Sequence, residues 1–367
     1  MKKSMLTLLV CSALWFPCQG YAADRHAMPE LNHVFLIMME NHNYDEPGTV
    51  PAIIDNLSDA PYINAMAKRY DLATHYQAVG HPSLTNYLEV VGGSNFGTDD
   101  DLAPHWGSAK NTENRYGFIP AHGVDIASHS FGLFGVSADK IGYTVPGGTP
   151  FIGKTIADQL ARAGKSWKTY QESLPIPGGY GIDTSDGKQI NRGAHLYAAK
   201  HNPFEYFRST QGSKDIVGYA SNLRNNTIGG GLAKDLAAGT VANFNFIAPN
   251  LCHDMHGTPM CSQAHALIRE GDQEVQALVG AITGSAMWKS GRNAVIVMWD
   301  ENDFSNTGNN RVPLIVETNY QSKGMHFSRA CNHFSLLKTL EKGFGLHYLN
   351  HAKDPQIHAM SDLFALR

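Results

Sequence analysis

Acidic and amide residues gather at two places where apolar runs end. Val34–Met39 leads directly into Glu40-Asn41-His42-Asn43, and Ala294–Trp299 leads directly into Asp300-Glu301-Asn302-Asp303. Glu40, Asp300 and Glu301 offer carboxylates and Asn41 an amide oxygen, the donors that hard or borderline divalent cations take. Several carboxylates converging in one cleft repel strongly unless a cation lies between them. Strands also commonly finish in solvated polar residues, but two such clusters in one chain weaken that explanation. The oxygen donors leave calcium, magnesium, manganese and iron open, and nearby histidines keep zinc among them.

A third segment is Gly80-His81-Pro82-Ser83-Leu84-Thr85-Asn86-Tyr87, which precedes the helical pattern Leu84, Leu88, Val91. Ser83 therefore falls at or near a helix N-terminus, where serine is a common cap. The same place suits a nucleophile, because unpaired backbone N–H groups at a helix start attract a phosphoryl oxygen. A metal touching the hydroxyl would favour the alkoxide. Thr85 is the alternative hydroxyl, Asn86 is suited to donate to a non-bridging phosphoryl oxygen, and His81 stands beside Ser83. Further along, His253, Asp254 and His256 follow the apolar run Val241–Ile247, placing three ligand or acid/base groups in four positions. The weaker candidates among the 18 histidines are His105, His122, His129, His201 and His333.

These residues need a scaffold, and the apolar pattern supplies one. Val34–Met39, Trp167–Tyr170, Val241–Ile247, Ala294–Trp299 and Val312–Val316 are unbroken apolar runs of strand length, the mark of strands buried on both faces. Helical periodicity occupies Ile63–Tyr70, Leu84–Val91, Ile152–Ala163, Glu274–Trp288 and Phe334–Phe344 between them. An α/β architecture with a largely parallel sheet follows. Open sheets of this kind bind ligands beyond the carboxyl ends of their strands, which is where the acidic clusters fall. No linker divides the chain, so residues 24–367 are expected to form a single catalytic domain.

Residues 1–23 read as an export signal: Lys2 and Lys3, an apolar stretch from Met5 to Trp15, then the small residues Gly20, Ala22 and Ala23. That stretch is shorter than the roughly 20 apolar residues of a spanning helix, and no later run reaches that length. A periplasmic or extracellular protein with no transmembrane segment is expected. Without the signal, 27 Lys and Arg face 33 Asp and Glu, a net charge of −6. No basic cluster appears, which argues against a nucleic-acid partner. Three cysteines remain after the signal, and in an oxidising compartment the near pair Cys252 and Cys261 is expected to bridge. Cys331 is then left as a buried thiol, with other connectivities open.

The ordered set of Glu40-Asn41-His42, Gly-His-Pro-Ser-Leu-Thr-Asn-Tyr at 80–87, Asn250 to His256 and Trp-Asp-Glu-Asn-Asp at 299–303 resembles the phosphoesterase family of bacterial phospholipases C and acid phosphatases. Ser166-Trp167-Lys168-Thr169-Tyr170 with Glu172, Lys200-His201-Asn202-Pro203-Phe204, and Asn332-His333-Phe334-Ser335 extend the likeness over nearly the whole chain. The resemblance implies an alkaline-phosphatase-like three-layer fold, a mostly parallel sheet between helices. It implies that Glu40, Asn41, Asp300 and Glu301 bind a divalent metal ion and that Ser83 forms a phospho-enzyme. It places His253, Asp254 and His256 around the phosphate, with His253 or His256 as proton donor to the departing alcohol.

On this resemblance phospholipase C activity on phospholipid headgroups ranks ahead of acid phosphatase activity on small phosphate esters. A non-enzymatic exported binding protein with a structural cation is the distant alternative. An arylsulfatase is disfavoured because no Cys/Ser-x-Pro-x-Arg setting occurs. Oligomeric state is not legible in the sequence.

Overall fold

β1 (His33–Met39) is an apolar heptapeptide whose residues from Val34 onward are all buried. It lies between β8 (Asn293–Trp299) and β7 (Phe244–Ala248), both buried along their whole length. Such strands form only where both sheet faces are covered. The computed structural model describes residues 28–96, 98, 101, 104, 153–179, 196–303, 309–321 and 324–366. The export signal expected at 1–23, and His105, His122 and His129, lie outside these residues.

The remaining strands are β2 (Asp71–Ala73), β3 (Tyr76–Gln77), β4 (Trp167–Glu172), β5 (Ile216–Asn222), β6 (Thr227–Gly229), β9 (Leu314–Thr318), β10 (His326–Phe327) and β11 (Cys331–Asn332). Among the described residues nine strands form one sheet in the order β10-β2-β9-β8-β1-β7-β4-β5-β6, and β11 pairs with β3 apart from it. β8, β1, β7, β4 and β5 are mutually parallel. Direction reverses at β9 on one side and β6 on the other. The largely parallel sheet expected from the sequence is thus its central part, in a mixed sheet.

Helices α1 (Pro61–Arg69), α2 (Ser83–Gly92), α3 (Ile156–Arg162), α4 (Gly230–Ala238), α5 (His265–Gly284) and α6 (His333–Gly343) fall into two groups by contact. One holds α2 with α3 and α6, the other α5 with α1 and α4. They give the sheet its cover, as an α/β fold requires. α3 opens with a capping box between Thr155 and Asp158. α1 uses a tertiary partner instead: Asp272 of α5 accepts from Tyr62 N at 3.1 Å and Ile63 N at 2.8 Å. α5 starts nine residues before the expected Glu274, because Gly271-Asp272 interrupts the apolar period there. A Cβ at Gly271 would stand 2.4 Å from Met255, so glycine lets α5 approach the His253–His256 loop. Among the described residues no helix is long and apolar enough to cross a membrane.

Candidate active site

The β1/β8 register builds the centre of the site. Met39 pairs with Trp299 in parallel strands, so the next residues, Glu40 and Asp300, leave the sheet side by side. Asp300 N donates to Met39 O at 3.0 Å, and Asn41 N donates to Asp300 Oδ1 at 3.1 Å. Asn41 adopts φ 44, a left-handed turn that asparagine tolerates better than most residues. On the other flank of β1, the loop after β7 joins in, with Glu40 N donating to Asp254 O at 2.8 Å.

Ser83 is the first residue of α2, and Pro82 occupies the cap position. The capping role open to Ser83 from sequence is not what its side chain does. Its hydroxyl lies 3.0 Å from Glu40 Oε2 and 3.1 Å from Glu301 Oε1, with the Asn41 side-chain amide 3.4 Å away. Asn86 and Tyr87, three and four residues on, share this face. Asn86 gives its two amide hydrogens to Gly80 O at 2.9 Å and Glu301 Oε2 at 3.0 Å. It therefore anchors Glu301 and has no hydrogen left for a phosphoryl oxygen, contrary to the sequence expectation. Thr85, the alternative hydroxyl, donates to Pro82 O at 2.8 Å. His81 Nδ1 stands 2.7 Å from Glu301 Oε2, and burial lowers the His81 pKa to about 4.

The three groups of the Cys252–Cys261 loop part company. The expected bridge is present, and Cys331 is a buried free thiol. His256 lines the cleft beside Ser83, its Nε2 accepting from Lys200 Nζ at 3.2 Å and its Nδ1 2.9 Å from Gly257 O. Asp254 is fully buried behind it, accepting from His256 N at 2.7 Å. His253 instead meets Glu172, with Nδ1 2.8 Å from Oε1, and Glu274 of α5 at 4.0 Å. It lines neither recess of the cleft, so the expected place of His253 at the phosphate is not where its side chain lies. Burial opposes its charge, yet the Glu172 hydrogen bond and the two carboxylates raise its pKa.

His201, a weaker candidate by sequence, sits at the centre. Its ring stacks on Tyr87 with centroids 5.1 Å apart, Nε2 3.1 Å from Glu40 Oε1 and Nδ1 3.1 Å from Asp254 Oδ2. His333, the other weaker candidate described, is a strut: Nε2 lies 2.7 Å from Asp300 O and Nδ1 2.8 Å from Tyr76 OH.

Four buried carboxylates, Glu40, Asp254, Asp300 and Glu301, have proton affinities pushed well above the usual range, first by burial and then by neighbouring carboxylates. Among the described residues, Glu40 Oε1, Asp254 Oδ2, Asp300 Oδ2 and His201 Nε2 are buried with no hydrogen-bond partner. Open oxygens and an open imidazole nitrogen in one acidic centre fit a divalent cation. Ligand atoms of Glu40, His201 and His256 lie within 4.8 Å of one another, as do those of Glu172, His253 and Glu274. In the second group the carboxylates already accept from Asn250 N, Tyr219 and Ser221, so it also serves as an ion pair that fastens the loop.

Two recesses share Asn41, His256 and the Gly257–Pro259 wall. The one at Ser83, about 400 Å³, is lined by Lys200, Asp101 and Glu301. The other, about 570 Å³, is lined by Val50, Met255 and Leu267 with Thr49, Thr258 and Asp303.

With this geometry in hand, a model of the phosphoesterase family matches residues 54–347. The chain belongs to the phosphoesterase family. Membership classes it with the hydrolases of phosphoric esters. It is 24% identical over 330 residues to phosphatidylinositol-3-phosphatase of Mycobacterium tuberculosis, covering 90% of this chain and 82% of that protein. It is 27% identical to an acid phosphatase of Aspergillus fumigatus, covering 62% of this chain and 37% of that protein. A phosphate-repressible acid phosphatase of Penicillium chrysogenum is 29% identical, with 60% and 38% covered. The chain thus spans little more than a third of these fungal relatives. Among solved structures, a Bacteroides thetaiotaomicron protein of glycosaminoglycan metabolism has TM-score 0.52 and 9% identity, covering 92% of this chain and 82% of that one, and shares the fold. A Vibrio parahaemolyticus member of the alkaline phosphatase superfamily has TM-score 0.49 and 13% identity, covering 90% and 71%.

In this member of the phosphoesterase family, sequence reasoning underrated His201 and gave no task to Lys200, Asp101 or Glu274. Lys200-His201 stood in a run noted only for its resemblance, and nothing local marks Asp101 within its acidic triplet.

Proposed function

We propose that the chain hydrolyses phosphate monoesters through Ser83, an acid-phosphatase activity. The observation that carries this is the Ser83 hydroxyl, held by Glu40 and Glu301 at the floor of a cleft instead of capping its own helix. Ser83 Oγ attacks phosphorus, forming an O–P bond as the bond to the alcohol oxygen breaks. Its proton passes to a carboxylate already in contact, Glu40 or Glu301. When Lys200 Nζ turns from His256 Nε2 to the phosphoryl oxygens, that nitrogen is released to carry the proton the departing oxygen takes, and Asp254 holds the His256 backbone. Water then cleaves the phosphoserine with His256 in the reverse role.

A divalent cation held by Glu40, Asn41, Asp300 and Glu301, joined by His201, would supply positive charge against the phosphoryl oxygens and favour the serine alkoxide. Around it, His81 and Asn86 orient Glu301, and Asp254 orients His201.

The monoester reading is supported over the phospholipase C expectation by the relatives, which carry the names of phosphatases. The second recess, of mixed lining, offers Val50, Met255 and Leu267 to the alcohol portion. With metal-loaded protein, kcat/KM on p-nitrophenyl phosphate should exceed that on bis(p-nitrophenyl) phosphate and on a choline phosphodiester by at least about tenfold. Preference for the diesters would return the phospholipase C reading. No turnover of any ester would favour a binding protein with a structural cation.

A further inference from the structure

An anion already stands in the recess at Ser83, and it belongs to the chain. Asp101 Oδ1 accepts from Leu84 N at 3.0 Å, the backbone N–H next to the nucleophile. Its Oδ2 accepts from Lys200 Nζ at 3.0 Å. Lys200 is 2% exposed and lies among carboxylates, with its charge acting on Glu40, Asp254 and Glu301. Burying a lysine stem and ammonium there is costly unless anions answer it. Asp101 is an unexpected answer, because it adds negative charge beside Glu301 in a centre that is already acidic. Its two oxygens take one backbone N–H and one ammonium, the donor pair that would receive two non-bridging oxygens of a phosphoryl group.

We propose that the Asp101 carboxylate is an internal stand-in for the substrate's phosphoryl group, and that Leu84 N–H and Lys200 are the donors the substrate takes over from it. This rests on the phosphoesterase reading. Asp101 then sets affinity: each phosphate that binds must first exchange with a carboxylate held on the same donors. Its loss strengthens binding, unlike the loss of an ordinary binding residue.

Inorganic phosphate is the probe, titrated calorimetrically into metal-loaded protein, with KM and kcat on p-nitrophenyl phosphate measured in parallel. Asp101→Asn keeps the size and an acceptor for Leu84 N but not the charge. It should tighten phosphate about tenfold and lower KM, the scale of one competing charge-assisted hydrogen bond. Lys200→Met should weaken phosphate by about tenfold or more, and Lys200→Arg should recover part of that loss. In the Asp101→Asn/Lys200→Met double variant the gain from Asp101→Asn should shrink to the part that comes from freeing Leu84 N, because the two residues act on one site. Unchanged or weaker phosphate binding by folded Asp101→Asn, with the wild type turning over normally, overturns the stand-in and leaves the esterase reading intact. Tighter binding by Asp101→Asn in a protein that hydrolyses no ester supports the stand-in and removes the esterase reading.

Discussion

Glu40 Oε1 and His201 Nε2 face each other at 3.1 Å, both buried and, among the described residues, without a hydrogen-bond partner. Two lone-pair donors in that relation call for a cation. Chelation should abolish turnover while far-UV circular dichroism persists, and His201→Ala should lower metal occupancy, read by elemental analysis. An imidazole donor favours zinc, manganese or iron over calcium in the reconstitution series. Full activity after demonstrated metal removal would sink the assignment.

Ser83→Ala separates nucleophile from helix residue. Because Pro82 holds the cap position, stability should change by less than the roughly 1 kcal/mol of a lost cap, while kcat falls by about a thousandfold or more. Ser83→Thr retains a hydroxyl and should keep measurable turnover. Rapid quenching with a labelled ester and peptide mapping should place the label on Ser83. Near-native activity in folded Ser83→Ala refutes the role.

The Cys252–Cys261 bridge carries the Gly257–Pro259 wall of both recesses. Closing a loop of this length stabilises by roughly 2–3 kcal/mol in the chain-entropy account. The Cys252→Ser/Cys261→Ser variant should lose melting temperature on that scale and show a raised KM. A KM unchanged by opening the bridge would disconnect the loop from substrate.

Burial raises the Glu205 pKa to about 8. A carboxyl whose folded pKa lies above its unfolded one stabilises the fold below the unfolded value, and this contribution disappears as pH rises through the folded value. His253, also raised, acts with the same sign. Melting temperature should therefore decline from mildly acidic pH toward pH 8 at constant metal loading, and Glu205→Gln should flatten that decline. An equal slope in wild type and variant would exclude Glu205 as a source.

Much of the scaffold was legible because unbroken apolar runs such as 34–39 and 294–299 have few other uses. β5, IVGYASN, which lies beside the edge strand β6, is partly exposed and lacked that mark. The places of Glu40, Asp300, Glu301 and Ser83 were legible because strand ends and a helix start announce them. The tasks of Asn86 and His253 were not, since each depends on a partner far along the chain, Glu301 and Glu172. His201 owes its place to Tyr87 stacking, Glu40 and Asp254, relations that no window of sequence contains.

All ten residues of α2 are buried, whereas the wall at Gly257–Pro259 hangs on a covalent tether at the rim of the cleft. Reacting groups and rim therefore rest on different supports. Replacing Thr258 and Pro259 between fixed cysteines would reshape the mouth of the cleft, while Gly257, whose carbonyl lies 2.9 Å from His256 Nδ1, has to stay.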